Sequence, residues 1–162
     1  MDPAVTSALN MLNGTPLRPL WSFLAEPWAA LVLVAGLCAL AVHRREPRLL
    51  VVLAITAALS NTLAAEALKP LLARSRPCAV MALDLDRPCG SGFGMPSAHA
   101  ANTAALAAAA ASPALGAVAA VVGVGRVVSG QHWPTDVLAG WLLGALVGTS
   151  VRAGARRFFG WT

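Results

Sequence analysis

Three short polar clusters interrupt an otherwise apolar chain. They read Lys69-x6-Arg76-Pro77, Pro96-Ser97-Ala98-His99 and Arg126-x5-His132-x3-Asp136. Charged residues make up only 12% of the 162 positions, and an ionisable side chain among apolar segments is costly enough to need a partner or a task. Together the clusters supply three cations, two imidazoles, a hydroxyl and a carboxylate, the set needed to bind and break a phosphate ester. Phosphoryl transfer spreads charge over three equatorial oxygens, which fixed cations stabilise. The planar fork of Arg76 or Arg126 grips two oxygens at once, and Lys69 adds a point charge. Ser97 follows a proline at the start of a helical segment. Its hydroxyl and the backbone N–H of Ala98 therefore face an anion.

Two histidines divide the remaining labour. One attacks phosphorus or activates water, and the other protonates the leaving oxygen. Asp136 follows His132 by four positions, with Pro134 between them. A carboxylate on that first helical turn reaches back to the ring, fixes its tautomer and stabilises its charged form. His132 is thus read as the nucleophile and His99 as the general acid, although the spacing also fits the reverse assignment. A metal site is the competing use of two histidines and an aspartate. Three adjacent cations would repel a divalent ion, so the expected site uses neither metal nor cofactor.

The elements that must carry these residues are membrane helices. A soluble domain holds about 25% charged residues, twice the content here, while 57% of this chain is hydrophobic. A chain of this length makes one domain. The expectation is an all-α integral membrane bundle of about five transmembrane helices, over residues 27–42, 49–68, 97–111, 113–128 and 134–151. A free-standing span needs ~20 apolar residues, fewer where neighbours shelter it. Residues 27–152 form the catalytic core of the single domain 1–162. Residues 1–26 lack the basic start and continuous apolar core of a cleavable signal peptide. They read as an interfacial segment with a short helix over 3–12, stopped at Asn13-Gly14.

The alanine-rich third span is weakly apolar and belongs inside the bundle. Gly140, Gly144 and Gly148 recur every four residues and flatten one face of the fifth span, which suits close packing. That face packs within the subunit or, as the other use, forms a homodimer seam. Asn61 and Asn102 read as interhelical hydrogen-bonding residues, and Cys38 as a packed free thiol. Glu66, one turn before Lys69, would pair with Lys69 or Arg126, or form a structural ion pair. Trp21, Trp28, Trp133, Trp141 and Trp161 fall near span ends as an aromatic belt would, with Trp133 placed to line a substrate entrance.

Five spans gather Lys69, Arg76, His99, Arg126, His132 and Asp136 on one side. The net charge is +5, but the basic residues sit in short loops. That placement suits phosphate and anionic membrane lipid headgroups rather than nucleic acid. Lysine and arginine near span ends split evenly between the two sides. Discounting the cations that chemistry holds in place leaves the C-terminus cytoplasmic and the site extracytoplasmic. Cys78 and Cys89 bracket a polar loop on the site side, where an oxidising compartment would join them. A bridge over so short a loop contributes ~3 kcal/mol on the chain-entropy model.

The stretches KPLLARSRP, PSAH and GRVVSGQHWPTD resemble, in order and spacing, the K-x6-R-P, P-S-G-H and S-R-x5-H-x3-D signature of the type 2 phosphatidic acid phosphatase superfamily, which also includes vanadium haloperoxidases. The resemblance covers roughly residues 27–152. It implies a metal-independent phosphatase with a phosphohistidine intermediate. Lys69, Arg76, Ser97, Ala98 and Arg126 would bind phosphate, His99 would be the acid, His132 the nucleophile and Asp136 its partner. Membrane members commonly have six spans and an outward-facing site, so the usual first span is replaced here by the short N-terminal segment. Ala98 stands where glycine is usual, which is harmless if its φ is negative. Gly125 stands where serine is usual, with the loss of one hydroxyl donor.

The loop between Cys78 and Met95 is too short for a lid domain, so the site should open at headgroup level onto a lipid phosphate. A polyprenyl pyrophosphate or polyprenyl phosphate is the favoured substrate, followed by phosphatidylglycerol phosphate or phosphatidic acid. Transfer of the phosphate to a second lipid, and non-catalytic binding of a phospholipid, are the rival functions. The intact His99, His132 and Asp136 set argues against mere binding, for which cations would suffice.

Overall fold

Spans rich in alanine, leucine and valine, punctuated by proline and by capping serines, favour helix. In the computed structural model all regular structure among the described residues, 2–24 and 27–160, is helical. The side chains of 27–31 and 159 lie outside that description, as does Trp161. The elements are α1 (Asp2–Asn10), a 3₁₀ turn (Met11–Gly14), α2 (Arg18–Leu24), α3 (Pro27–His43), α4 (Arg48–Asn61), a π-helical stretch (Thr62–Leu68), α5 (Lys69–Leu72), α6 (Pro77–Val80), α7 (Ala98–Ala110), α8 (Pro113–Val128) and α9 (Pro134–Phe159). Ser97 and Ser112 cap α7 and α8 by accepting the backbone N–H of Ala100 and Leu115.

The alanine helix is the axle. Ala100, Ala101, Ala105, Ala109 and Ala110 of α7 are fully buried, and α4, α8 and α9 pack around them. A Cβ placed on Gly140, Gly144 or Gly148 would fall inside contact distance of the carbonyl oxygens of Ser97, Ala101 and Ala105 respectively. The glycine face is therefore filled by α7 of the same chain. This corrects the homodimer seam, because no free face remains for a partner. Asn102 Nδ2 donates to Asn61 Oδ1 at 3.2 Å, the expected interhelical bond.

Two expected boundaries move. The second span continues past Lys69-Pro70 to Leu72. Proline inside a helix lacks an N–H, and its ring clashes with the carbonyl four residues back. Here the π-helical stretch widens the backbone immediately before it, with Lys69 N–H bonding to Ala64 O. Ala73 then ends the helix at φ 44°. The fifth span runs on to Phe159, because Arg152 does not interrupt it. Arg152 Nη1 instead donates to Ala109 O at 3.0 Å, and Arg44 Nη1 to Ala110 O at 2.7 Å. Both cations sit on the carbonyl end of α7, where the helix dipole favours them.

The stretches Arg48–Val80 and Pro134–Phe158 are long and apolar enough to cross a bilayer, while Val32–His43 and Pro113–Val128 are apolar but shorter. Outward-facing rows of Val51, Ile55 and Leu59 on α4 and of Leu138, Leu142 and Leu146 on α9 are exposed. Exposed apolar rows of this kind are what a surface covered by another apolar medium leaves on a protein's outside. Cys38 corrects its expectation: it is a free thiol but exposed on α3. The belt is corrected in part. Trp21 and Trp133 are buried, and Trp141 donates its indole N–H to Ala119 O at 3.1 Å, so these rings are used inside the bundle, although the Trp21 indole N–H has no hydrogen-bond partner among the described residues. The side chain of Trp28 and all of Trp161 lie outside the described residues.

Candidate active site

The site forms where the amino end of α7 meets the carboxyl end of α8 and the first turn of α9. Between α8 and α9 the chain reverses through Ser129–Trp133. The N–H groups of Gln131 and His132 both bond to Arg126 O, at 3.2 and 3.1 Å. This fold-back brings His132 to the guanidinium end of the first cluster. Arg76 Nη1 lies 3.0 Å from Gln131 O and 3.2 Å from His132 Nε2. A guanidinium has only donors, so Nε2 carries a lone pair and the ring proton sits on Nδ1. That atom faces Asp136 Oδ2 at 3.6 Å, an ion-pair separation too long for a hydrogen bond.

Asp136 is fully buried. Oδ2 accepts the backbone N–H of Trp133 at 3.0 Å and Oδ1 accepts Arg74 Nη1 at 2.9 Å. Its own carbonyl accepts the N–H of Ser97 at 2.9 Å, joining the second and third clusters. Burial, together with the Arg126 and Arg76 charges, pushes the His132 ring down to about 4 against the opposing pull of Asp136. The ring is thus neutral at pH 7, with a lone pair at Nε2.

The other expected residues gather here. Lys69, Arg76 and Arg126 lie within one another's electrostatic reach, and His99 lies within reach of all three and of His132. Arg126 is buried, and its Nε has no hydrogen-bond partner among the described residues. Ser97 is buried, with its hydroxyl 3.5 Å from Ala100 N, while His99 is exposed on the first turn of α7. Ala98 is absent from the positive-φ residues and opens α7 in helical geometry, so glycine is not required. Gly125 has a packing reason, since a Cβ there would lie 3.3 Å from the Trp21 ring. Cys78 and Cys89 are disulfide-bonded with Cα atoms 5.6 Å apart. Among the described residues no three His, Cys, Asp or Glu side chains converge to hold a metal ion.

Two expectations fail at the rim. Glu66 is exposed and pairs with neither Lys69 nor Arg126 among the described residues. Trp133 lines no entrance: its indole donates to Ser75 O at 2.8 Å and its ring lies under the Arg74 guanidinium, 5.4 Å from the centroid.

Several contributors escaped the sequence reading. Arg74 counted there only as a topological charge, although it sits inside KPLLARSRP. Gln131 accepts Gly90 N at 2.9 Å and donates to Pro88 O at 3.3 Å, clamping the disulfide loop. Gly94 lets that loop pass the carboxylate, since a Cβ there would come within 2.8 Å of Asp136 Oδ2. Asn10 of α1 donates to Asp84 O and Val128 O, at 2.9 and 2.8 Å, and accepts Asp84 N at 2.9 Å. The N-terminal segment therefore docks on the site loop, a long-range pairing that spacing could not reveal.

The chain matches the model of the PAP2 superfamily over residues 45–158. Decaprenylphosphoryl-5-phosphoribose phosphatases of two Mycobacterium tuberculosis strains are 35% identical over 89 residues, 52% of this chain and 49% of theirs. The chain thus spans about half the length of those curated relatives. A transmembrane PAP2 type phosphatidylglycerolphosphate phosphatase from Bacillus subtilis superposes with a TM-score of 0.68 at 22% identity, over 97% of this chain and 85% of that one. LpxE from Aquifex aeolicus gives 0.67 at 20% identity, over 93% of each chain. At such identities the likeness is one of fold. The matched family span contains every site residue from Lys69 to Asp136, and the chain belongs to the PAP2 superfamily.

Proposed function

We propose that this chain is a membrane phosphatase that hydrolyses a lipid phosphate or pyrophosphate without a metal, through a phosphohistidine intermediate. The observation that carries the reading is the placement of the His132 ring, with Nε2 beside Arg76 at 3.2 Å and Nδ1 facing buried Asp136. Nε2 attacks phosphorus and forms an N–P bond as the P–O bond to the lipid breaks. His99 gives its proton to the leaving oxygen. Water, losing a proton to His99, then breaks the N–P bond and releases inorganic phosphate. Lys69, Arg76 and Arg126 hold the equatorial oxygens, aided by the Ser97 hydroxyl and the N–H of Ala98 at the positive end of α7. The unpartnered Nε of Arg126 is a donor available to that anion.

A polyprenyl pyrophosphate or polyprenyl phosphate is the favoured substrate. The named activity of the mycobacterial relatives supports a polyprenyl carrier, and the exposed apolar rows of α4 and α9 suit a substrate whose tail stays in the bilayer. The remaining parts of the reading are five spans, an extracytoplasmic site and a cytoplasmic C-terminus. The disulfide on the site side supports that orientation, as disulfides persist in oxidising compartments.

The test is inorganic phosphate release in detergent with excess chelator, beside His132→Ala. The panel comprises polyprenyl pyrophosphate, polyprenyl phosphate, phosphatidic acid and phosphatidylglycerol phosphate. Release that survives chelator and disappears in the variant is expected, fastest with a polyprenyl substrate. Release that needs a divalent ion, or that persists in His132→Ala, would overturn the mechanism.

A further inference from the structure

Arg74 takes no part in the phosphate chemistry outlined above, yet it is held from four directions. Nη1 donates to Asp136 Oδ1 at 2.9 Å and Nη2 to Asp2 Oδ2 at 2.7 Å. The Thr135 hydroxyl touches both Arg74 and Asp2. The Trp133 ring lies against the guanidinium plane, with its indole tied to Ser75 O, the residue next to Arg74. We infer that Arg74 is a positioning residue for the reaction: it fixes the Asp136 carboxylate so that Oδ2 faces His132 Nδ1 and Nε2 is turned toward Arg76 and the phosphate site.

A carboxylate turns easily about its last torsion, and its two oxygens are chemically equivalent. The Trp133 N–H holds Oδ2 and Arg74 holds Oδ1, which leaves one direction of Oδ2 for the imidazole. Arg74 also supplies the cation closest to a carboxylate that solvent does not reach. Without it Asp136 would keep one N–H partner and an unbalanced buried charge, which is expensive. The cheapest relief is a proton taken up by His132, which converts Nε2 from a lone pair to a donor and stops the attack. The groups facing the ring are Asp136 on α9, Arg76 before α6, Arg126 on α8 and His99 on α7. Lys69 and Arg76 also lie within electrostatic reach of Asp136, but both are assigned to the phosphate, and Arg74 is the cation that bonds directly to the carboxylate. Asp2 completes the arrangement, bringing the N-terminal helix to the outer face of the same guanidinium.

The inference rests on the reading of His132 as nucleophile, but its test need not use a substrate. The chain has three histidines, so ring-¹⁵N-labelled protein in detergent micelles gives a resolvable spectrum, with His132 assigned by its absence in His132→Ala. Wild-type His132 should titrate well below neutral pH as the Nδ1–H tautomer. In Arg74→Ala its midpoint should rise by about 1–2 pH units, the size of effect an adjacent charge exerts. Arg74→Lys should restore the midpoint but not the orientation. In parallel, phosphate release by Arg74→Ala should show kcat about 100-fold lower with little change in KM, the scale of a small misplacement of the reacting group. An unchanged His132 titration in a folded, disulfide-intact Arg74→Ala protein would overturn the inference whatever its activity. A shifted titration in a protein that releases no phosphate from any lipid would uphold the positioning role and sink the phosphatase reading instead.

Discussion

His132 lends itself to a test through acid stability as well as through catalysis. Its folded-state value is near 4 against an ordinary 6.5, with burial the main cause. Between those values the unfolded chain binds a proton that the native ring refuses. Stability from this group is therefore fully present above pH 6.5 and is lost as pH falls towards 4. A shift of this size is worth on the order of 3 kcal/mol. Thermal unfolding in detergent should show a drop in midpoint from pH 6.5 to 4 that is smaller in His132→Gln. An equal drop in both proteins would mean that other groups carry the acid sensitivity. At this scale the sequence was informative about residues whose partners lie within one turn, such as His132 and Asp136. It was silent about Arg74, Gln131 and Gly94, whose roles come from contacts between segments far apart in the chain. It misplaced Trp133 because an aromatic side chain near a helix end reads alike whether it faces lipid or braces an arginine.

Close approach of α7 and α9 sets the distance between His99 on α7 and His132 in the turn leading into α9, and glycine makes that approach possible. A methyl on Gly144 would meet the Ala101 carbonyl and the Ala104 and Ala105 positions of α7, and backbone cannot yield as a flexible side chain can. Gly144→Ala should cost about 1–3 kcal/mol, as overpacking does, and should lower phosphate release by moving Ser97 and His99 relative to His132. Gly154, on the same helix, has nothing within 4 Å of its would-be Cβ, so Gly154→Ala should stabilise by about 1 kcal/mol through helix propensity alone. Thermal midpoints of the pair should move in opposite directions. Movement in the same direction would mean the seam is looser than its geometry. The four-residue glycine period and the alanine run identified both helices as packing elements from sequence. Composition did not reveal that a π-helical stretch would carry the chain through Pro70, nor that three arginines would leave α9 unbroken to Phe159. Proline stops a helix only when the backbone has no way around it, while arginine, a strong helix former, ends an apolar run without ending the helix.

Across the whole molecule, the charge on one end of the bundle caps α7 and the charge on the other surrounds the site, so the axle helix runs between two cationic ends. The site end is also the more elaborately tied. The loop from Met81 to Met95 is held by the Cys78–Cys89 bridge, by Gln131 against Pro88 and Gly90, and by Asn10 and Asn13 against Asp84. Arg18 adds a bond to Leu85 O at 3.3 Å. These ties make the N-terminal segment part of the frame of the site. Two independent anchors on one loop imply redundancy. Reduction alone should leave phosphate release nearly intact, because the α1 anchor keeps Arg76 and the loop in place. Asn10→Ala strands the buried Val128 carbonyl, at about 1–3 kcal/mol, yet the oxidised bridge still restrains the loop. Reduced Asn10→Ala loses the bridge and the Asn10 bonds together, keeping only the Asn13, Arg18 and Gln131 contacts, and should lose more activity than the product of the two single effects. Phosphate release from the four protein states completes the cycle. Strict additivity, or full inactivation by reductant alone, would show that the bridge and the N-terminal helix do not hold the loop in common.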